Sequence, residues 1–353
     1  MTAGRKPILS GLSTTELEAL LRSEGEPAYR GRQVGEWVYR HHARSFDDMS
    51  SIPAGLRAKL AGKYDIGREN LVTVAGSGDG TAKLLLEMAD GARIETVALP
   101  YADRLSCCVS TQVGCAIGCL FCASGQGGFV RNLQPGEIVN QVLAVEDLVH
   151  SGDISTSPDN RRVDHVVFMG MGEPLLNYDN TLKAVRLLNS EVGIGIRHLT
   201  VSTVGIVPGI YRLAKEELQV TLAVSLHAPD DALRTKLVPG ISRWKIAGIL
   251  EACRDYVKAT GRRVTFEYCL LNGVNDSAEQ ARRLANLLSG LNCHVNLIRF
   301  NAVPGLTYKP SPGARVRGFR SILEESRIQV TQRLQRGAGI NAACGQLRQG
   351  RGE

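Results

Sequence analysis

Gly114-Cys115-Ala116-Ile117-Gly118-Cys119-Leu120-Phe121-Cys122 places three cysteines within eight residues, spaced Cys-x3-Cys-x2-Cys, with glycines where a backbone must wrap tightly. Thiolates are soft ligands and select iron–sulfur clusters, zinc or copper(I). A structural zinc site takes four ligands, usually two pairs far apart in the chain. Here three candidate ligands share one short loop, and no second Cys-x2-Cys pair occurs. Three thiolates on a four-iron cluster leave one iron without a protein ligand, open to bind a cofactor and pass it an electron. The plainer reading is three buried, inert thiols, and the glycine-spaced pattern speaks against it.

Outward from this loop the chain reads as parallel α/β. The cysteine loop follows a strand-like run at 105–110. Further strand-like runs at 163–169, 198–202, 220–225, 264–270 and 295–299 alternate with helical segments near 135–150, 178–190, 208–217, 244–259 and 276–289. Six βα units predict an incomplete (β/α)6 barrel over 101–335, and a last helix (314–325) and strand (327–333) close it. Upstream, 71–75, 83–88 and 93–99 alternate between turn residues and read as a β-meander bridge over 71–100. Residues 1–70 read as a small helical domain made basic by Arg22, Arg30, Arg32, Arg40, His41, His42 and Arg44, a face suited to phosphates. Ser13-x-x-Glu16 is a capping box with Leu17, Leu20 and Leu21 behind it at helical spacing. Further helices are expected from Gln33 to Arg44 and from Ala54 to Lys63. His41 and His42 then face different ways on one helix, which argues against a shared metal. Residues 151–161 read as a surface loop, and 336–353 as a tail.

In parallel barrels functional residues sit at the carboxyl ends of strands. After the cysteine loop, Gly170-Met171-Gly172-Glu173-Pro174 follows the second strand, Ser202-Thr203 ends the third, Ser225-Leu226-His227 the fourth, and Asn301 lies past the sixth. Five polar elements therefore converge on one rim. Alone, His227 would read as a structural histidine and Ser202 as a helix cap. In Gly-x-Gly-Glu-Pro the glycines clear side chains where a backbone edge approaches a ligand, and Glu173 offers a carboxylate to an amine.

Composition bounds the setting. The 353 residues suggest two or three domains, and 43% apolar with 22% charged residues is ordinary for a globular chain. No run approaches the roughly 18 apolar residues of a membrane span. The first ten residues lack an apolar signal segment, and the nine cysteines are an odd count, so a reducing, cytoplasmic setting is expected. The net charge is +7, and residues 299–353 alone carry ten Lys/Arg against three acids. That stretch is either a solvated basic face or a surface for phosphates.

The cysteine spacing, with an aromatic just before the third Cys, resembles the radical S-adenosylmethionine (SAM) superfamily. There the open iron of a [4Fe-4S] cluster chelates SAM, and reductive cleavage yields a 5′-deoxyadenosyl radical, chemistry that belongs to the cofactor. With the tail Asn341-Ala342-Ala343-Cys344-Gly345-Gln346-Leu347, the approach Cys108-Val109-Ser110-Thr111-Gln112 and the segment Ile94-Glu95-Thr96-Val97, nearly the whole chain resembles the radical SAM RNA adenine methyltransferases. The nearer branch methylates adenine C2 in 23S ribosomal RNA and tRNA, and its sister branch methylates C8 of the same ribosomal adenine. The resemblance implies that Cys115, Cys119 and Cys122 bind the cluster. It implies that Gly172, Glu173, Ser202, Ser225, Leu226, His227 and Asn301 contact SAM. It implies Glu95 as general base, Cys344 as the methyl-carrying cysteine and Cys108 as the resolving thiol. An external electron donor such as flavodoxin, a monomeric state and no membrane are further implications. Cys107 points to the opposite strand face from Cys108, and Cys253, Cys269 and Cys293 read as buried thiols.

The chain departs from the family's pattern in three places. Arg336-Gly337-Ala338-Gly339 lacks the acids usual after the glycine, Arg299 stands where proline is common, and Val204 replaces a Ser or Thr. C8 methylation, or a paralogue with another RNA target, is the close rival. A non-catalytic RNA-binding iron–sulfur protein is the rival of another class. It would not need Cys344, Cys108 and Glu95 together.

Overall fold

The Ser13 hydroxyl accepts the Glu16 N–H at 3.2 Å, and the Glu16 carboxylate accepts the Ser13 N–H at 2.7 Å. This capping box starts α1 (Thr14–Ser23) where the sequence predicts it, and α1 buries Leu17 and Leu21. The computed structural model describes residues 6–157 and 159–347; Arg348, Arg351 and Glu353 of the basic tail lie outside the described residues. Helices α2 (Tyr29–Tyr39) and α3 (Ala54–Lys63) complete the amino-terminal unit. The second helix starts earlier than expected and stops at Tyr39, so His41 and His42 lie beyond it. His42 adopts a left-handed φ of 52°.

Twelve strands and eight further helices follow in chain order. They are β1 (Asn70–Gly76), β2 (Ala82–Glu87), β3 (Arg93–Pro100), β4 (Leu105–Cys108), β5 (Gln112–Gly114), α4 (Ala123–Gln126), β6 (Phe129–Asn132) and α5 (Pro135–Ser151). Next come β7 (His165–Phe168), α6 (Tyr178–Leu187), β8 (Leu199–Thr203), α7 (Val207–Ala214), β9 (Thr221–Ser225), α8 (Asp231–Leu237), α9 (Ile246–Thr260), β10 (Val264–Leu270), α10 (Ala278–Leu288), β11 (Cys293–Arg299), α11 (Gly313–Glu325) and β12 (Gln329–Gln332). Ten strands form one sheet in the order β1-β2-β3-β4-β7-β8-β9-β10-β11-β12. From β4 to β12 every neighbouring pair is parallel, as βαβ crossovers require. The sheet is mixed and does not close, because β1 and β12 are its edges.

The meander is continuous with this sheet. Antiparallel pairing sets Val97 of β3 opposite Cys108 of β4 and Ala98 opposite Cys107. Side chains alternate along a strand, so Cys108 shares a face with Val97 and Glu95 while Cys107 turns away. The sequence reading missed three short elements: the β5–β6 hairpin, α4 and α8. Each is too short for periodicity to register.

The helical unit is fastened to the barrel by polar contacts. Inside the unit the Tyr39 hydroxyl reaches the carbonyls of Ser10 and Leu12 at 2.8 and 2.7 Å, and the contacts to the barrel come from Thr14, Arg40 and Arg68. Thr14 donates to Glu191 at 2.6 Å, Arg40 to the Val192 carbonyl at 3.0 Å, and Arg68 pairs with Asp147 on α5. The expected basic face of this unit is thus partly spent on intramolecular contacts. His42 in particular lies between Glu146 and Asp147 of α5, at 3.2 and 2.7 Å.

Candidate active site

The five rim elements predicted from sequence do converge. Four of them line one cleft with about 910 Å³ of space open to solvent, and Asn301 lines the cavity beside it. Cys115, Cys119 and Cys122 line one end of the cleft, and Gly172, Glu173, Ser202, Ser225 and His227 line the rest. Gly172 has φ 102°, and a Cβ there would meet the Gln112 backbone N at 2.8 Å, so only glycine fits this crossing.

The cysteine loop is gripped from three sides. Cys115 donates its N–H to the Gly128 carbonyl at 2.9 Å, Leu120 to Leu237 at 3.0 Å, and the Gly240 N–H reaches the Ile117 carbonyl at 3.0 Å. Burial, together with the neighbouring thiols, pushes Cys115 up to about 11 and Cys119 well above its ordinary value. Burial also raises Cys122. Three desolvated, mutually repelling thiolates call for bound positive charge, and iron displacing the protons supplies it. Among the described residues no three His, Cys, Asp or Glu side chains close on a single-ion site. Ligands of a four-iron cluster each bind a different iron. The donor set therefore fits a cluster.

Glu173 is buried, and desolvation pushes its carboxyl up to about 7. Its oxygens accept the Leu175 N–H at 3.0 Å and the Val204 N–H at 2.8 Å. A ligand ammonium in the cleft would find this carboxylate already oriented. Val204 meets it through its backbone, so the missing hydroxyl at that position does not break the contact. His227 also has a left-handed φ, 61°. Its Nδ1 accepts the Cys269 N–H at 3.0 Å, which leaves Nε2 as the protonated nitrogen. Burial holds its pKa down at about 3, so the ring is neutral.

A second cavity adjoins the first. Cys108 and Cys344 line it together, and Cys122, Met169, Arg333 and Cys344 line both cavities. Cys344 therefore stands at the junction. It is exposed, and the tail that carries it is fastened on both sides. Ala123 donates its N–H to the Gly345 carbonyl at 2.7 Å, and Ser124 donates to Leu347 at 2.5 Å. The Asn301 amide donates to the Cys344 carbonyl at 3.1 Å. Asn301 thus lines the second cavity rather than the cleft of Glu173 and His227. Leu226 is fully buried, gives its N–H to the Glu267 carbonyl and lines neither cavity with its side chain. Glu95 is buried behind the second cavity, on the same face of β3 as Val97, with the Lys83 ammonium 2.7 Å from its carboxylate.

Sequence reasoning missed three residues here. Cys269 is buried, as expected, yet it lines the cleft beside Glu267. Alternation along β10 puts both on one face, a signal present in the sequence once the inward face is known. Arg333, counted with the basic tail, turns inward and lines both cavities. The Cys344 thiol above all, with Glu267 and Cys108, raises its pKa. Arg315 and Arg320 pair with Asp276 and Glu324, while Arg299, Lys309, Arg317 and Arg327 are exposed.

Comparison with known proteins converges on one family. Residues 109–285 match the radical SAM superfamily, and residues 8–66 match the ribosomal RNA large subunit methyltransferase N-terminal domain. A probable dual-specificity RNA methyltransferase RlmN of Trichormus variabilis is 48% identical over 340 residues, 96% of this chain and 93% of that one. Its counterpart from Bacillus thuringiensis is 45% identical over 346 residues, 98% and 94% of the two chains. The crystal structure of a radical SAM methyltransferase from Sphaerobacter thermophilus superposes with a TM-score of 0.92 at 47% identity, covering 97% of this chain and 99% of that one. No helix is long and apolar enough to cross a membrane among the described residues. Enzymes of this superfamily use a [4Fe-4S] cluster and SAM, the pair that the three thiols and the adjoining cleft fit. The chain belongs to the RlmN family of radical SAM RNA methyltransferases.

Proposed function

We propose that this enzyme methylates C2 of an adenine in 23S ribosomal RNA and in tRNA, with Cys344 as the carrier of the methyl group. The observation that carries the proposal is the position of Cys344 at the junction of two cavities. One holds the cluster thiols and Glu173, the other Cys108. That the relatives are probable dual-specificity RNA methyltransferases supports two kinds of RNA substrate.

Cys115, Cys119 and Cys122 would hold the cluster. Gly172, Glu173, Ser202, Ser225 and His227 would hold SAM, with Asn301 and the Leu226 backbone at its margin. Bound there, the two groups supply methyl groups and a hydrogen-abstracting radical. The protein's own residues do the remainder. Adenine C2 has no lone pair to offer an ordinary methyl donor, so the methyl reaches it as a carbon carried on Cys344 Sγ. Glu95 takes the C2 proton, and the odd electron left by the radical addition would pass to the bound cluster. Cys108 then attacks Cys344 Sγ. The carbon–sulfur bond breaks, the carbon takes a proton to become a methyl group, and a Cys108–Cys344 disulfide remains for external thiols to reduce. The docked tail holds Cys344 at this space through Gly345 and Leu347. We place this chemistry in the cytoplasm, with electrons from an external donor such as flavodoxin.

Mass spectrometry of adenosines in RNA treated with the anaerobically reconstituted enzyme and SAM tests the proposal. 2-Methyladenosine is the expected product. 8-Methyladenosine would establish the rival regiochemistry, and RNA left unmodified by the cluster-loaded wild type yet bound equally well by an iron-free Cys119→Ala protein would favour a binding role alone.

A further inference from the structure

Leu334 is 74% exposed, more than any other large apolar side chain among the described residues. It lines the cavity that holds Cys108 and Cys344, and also a neighbouring groove lined by Arg104, His165 and Glu267. Its chain neighbours are held. Arg333 donates its N–H to the Leu297 carbonyl at 2.9 Å, Gln335 donates to the Asn301 side chain at 2.7 Å, and Arg336 donates to the Pro100 carbonyl. The other exposed large apolar residues lie elsewhere, on α2, β1, the cysteine loop, β6 and the turn after β7. Leu334 is therefore a single apolar projection and not part of a patch for another protein.

Its neighbours are those of a nucleobase site. The guanidinium groups of Arg104 and Arg336 lie over the Tyr101 ring, 4.1 and 4.3 Å from its centroid. Guanidinium planes and aromatic rings are the platforms on which unstacked bases rest. An adenine in folded RNA cannot reach Cys344 without leaving its stack, at a cost of a few kcal/mol. Apolar side chains inserted between base steps offset that cost by filling the gap.

We propose that Leu334 is the wedge that occupies the space vacated by the target adenine, with Arg336 on Tyr101 supporting the adjacent base. This rests on the reading of the enzyme as an adenine methyltransferase, and it adds how the base is opened.

The test uses two RNAs of the same sequence, one with the target adenine stacked in a folded hairpin, the other with it bulged out. Each carries 2-aminopurine beside the target. Leu334→Ala should lower methylation of the stacked RNA by about ten-fold or more, since one lost apolar insertion of about 1.4 kcal/mol is a factor of ten. Methylation of the bulged RNA should fall by less than about two-fold, and Leu334→Met should restore the stacked substrate. With wild-type protein the 2-aminopurine fluorescence should rise on binding the stacked RNA, and with Leu334→Ala it should not. Equal effects on both RNAs, or an unchanged fluorescence rise, would overturn the wedge. Wild-type protein that raises the fluorescence but methylates neither RNA would refute the functional reading and leave the wedge standing.

Discussion

Lys83 Nζ lies 2.7 Å from the carboxylate of Glu95 and also donates to the Asn341 carbonyl at 3.2 Å. One ammonium thus ties the proposed proton acceptor on β3 to the tail that carries Cys344. The pair is largely buried, with side-chain exposures of 15% and 8%. Replacing Lys83 by Met should cost about 1–3 kcal/mol of stability, the range for removing one partner of a buried polar contact. It should also slow RNA methylation while methyl loading of Cys344 changes less. Denaturant unfolding and single-turnover assays check both. Unchanged stability and rate would show that Glu95 is held by its other contacts.

Glu173 gives a pH dependence with a definite sign. Burial pushes its carboxyl up to about 7. A carboxyl raised in the folded state favours folding while it stays protonated, and that contribution is lost as pH rises from its unfolded value near 4.5 through about 7. The full loss is on the order of 3 kcal/mol. In iron-free protein, Glu173→Gln should therefore gain stability over wild type between pH 5 and 8, and unfolding midpoints at the two pH values read it. SAM should reverse the shift, because its ammonium favours the carboxylate. Binding below pH 7 should release protons, which calorimetry in two buffers detects.

His42 fastens the helical unit to α5. Burial lowers its pKa, but the hydrogen bonds it donates to Asp147 and Glu146 outweigh burial and the net shift is upward. Arg44 and Arg68 also face Asp147, and Arg162 and His150 lie nearby. A histidine raised in the folded state stabilises it fully below its unfolded pKa near 6.5, and this is lost as pH rises through the folded value. Hydrogen exchange in α1 to α3 should quicken relative to the barrel as pH rises past that value, after correction for intrinsic exchange. In His42→Gln the domain should exchange at the faster rate at every pH, with no such step.

What the sequence revealed, and what it hid, follows from how far each signal reaches. The cysteine loop and the Gly-x-Gly-Glu-Pro segment were legible because their function needs residues a few positions apart. The order of the parallel strands was legible because each is an apolar run bounded by turns. The place of His42 was not, since it depends on a partner helix about a hundred residues away in sequence. Arg333 looked like one basic residue among many. Only the pairing of β12 with β11, followed by the Arg333 N–H on the Leu297 carbonyl, shows that this part of the chain is held against the inner sheet. Cys344 and Cys108 were joined by family resemblance. In the fold the reason is physical, since the tail docks its Gly345 carbonyl on the residue after Cys122, while β4 delivers Cys108 to the same cavity.

Cys108 decides whether the proposed chemistry can finish. Once the carried carbon is joined to adenine C2, Cys344 is covalently linked to the RNA, and attack on its sulfur by another thiol is the way out. Cys108 lines the same cavity as Cys344, whereas Cys107 faces the other side of β4 and is fully buried. Cys269 lines the cleft rather than this cavity, so it is the one competing thiol that must be tested. Burial, and then the neighbouring Cys344, push the Cys108 pKa up to about 12, with Arg333 opposing them. Few Cys108 thiolates exist at neutral pH, so release should quicken as pH rises from 7 to 9 in single-turnover experiments. Cys108→Ala should still load a methyl group on Cys344 and still add to the adenine, then stall with RNA attached. A denaturing gel, run with and without ribonuclease, should show this adduct. Cys344→Ala should give neither adduct nor product. Adding Cys269→Ala to Cys108→Ala should leave the adduct yield unchanged. If Cys108→Ala releases methylated RNA at the wild-type rate and only the double variant stalls, the resolving thiol is Cys269.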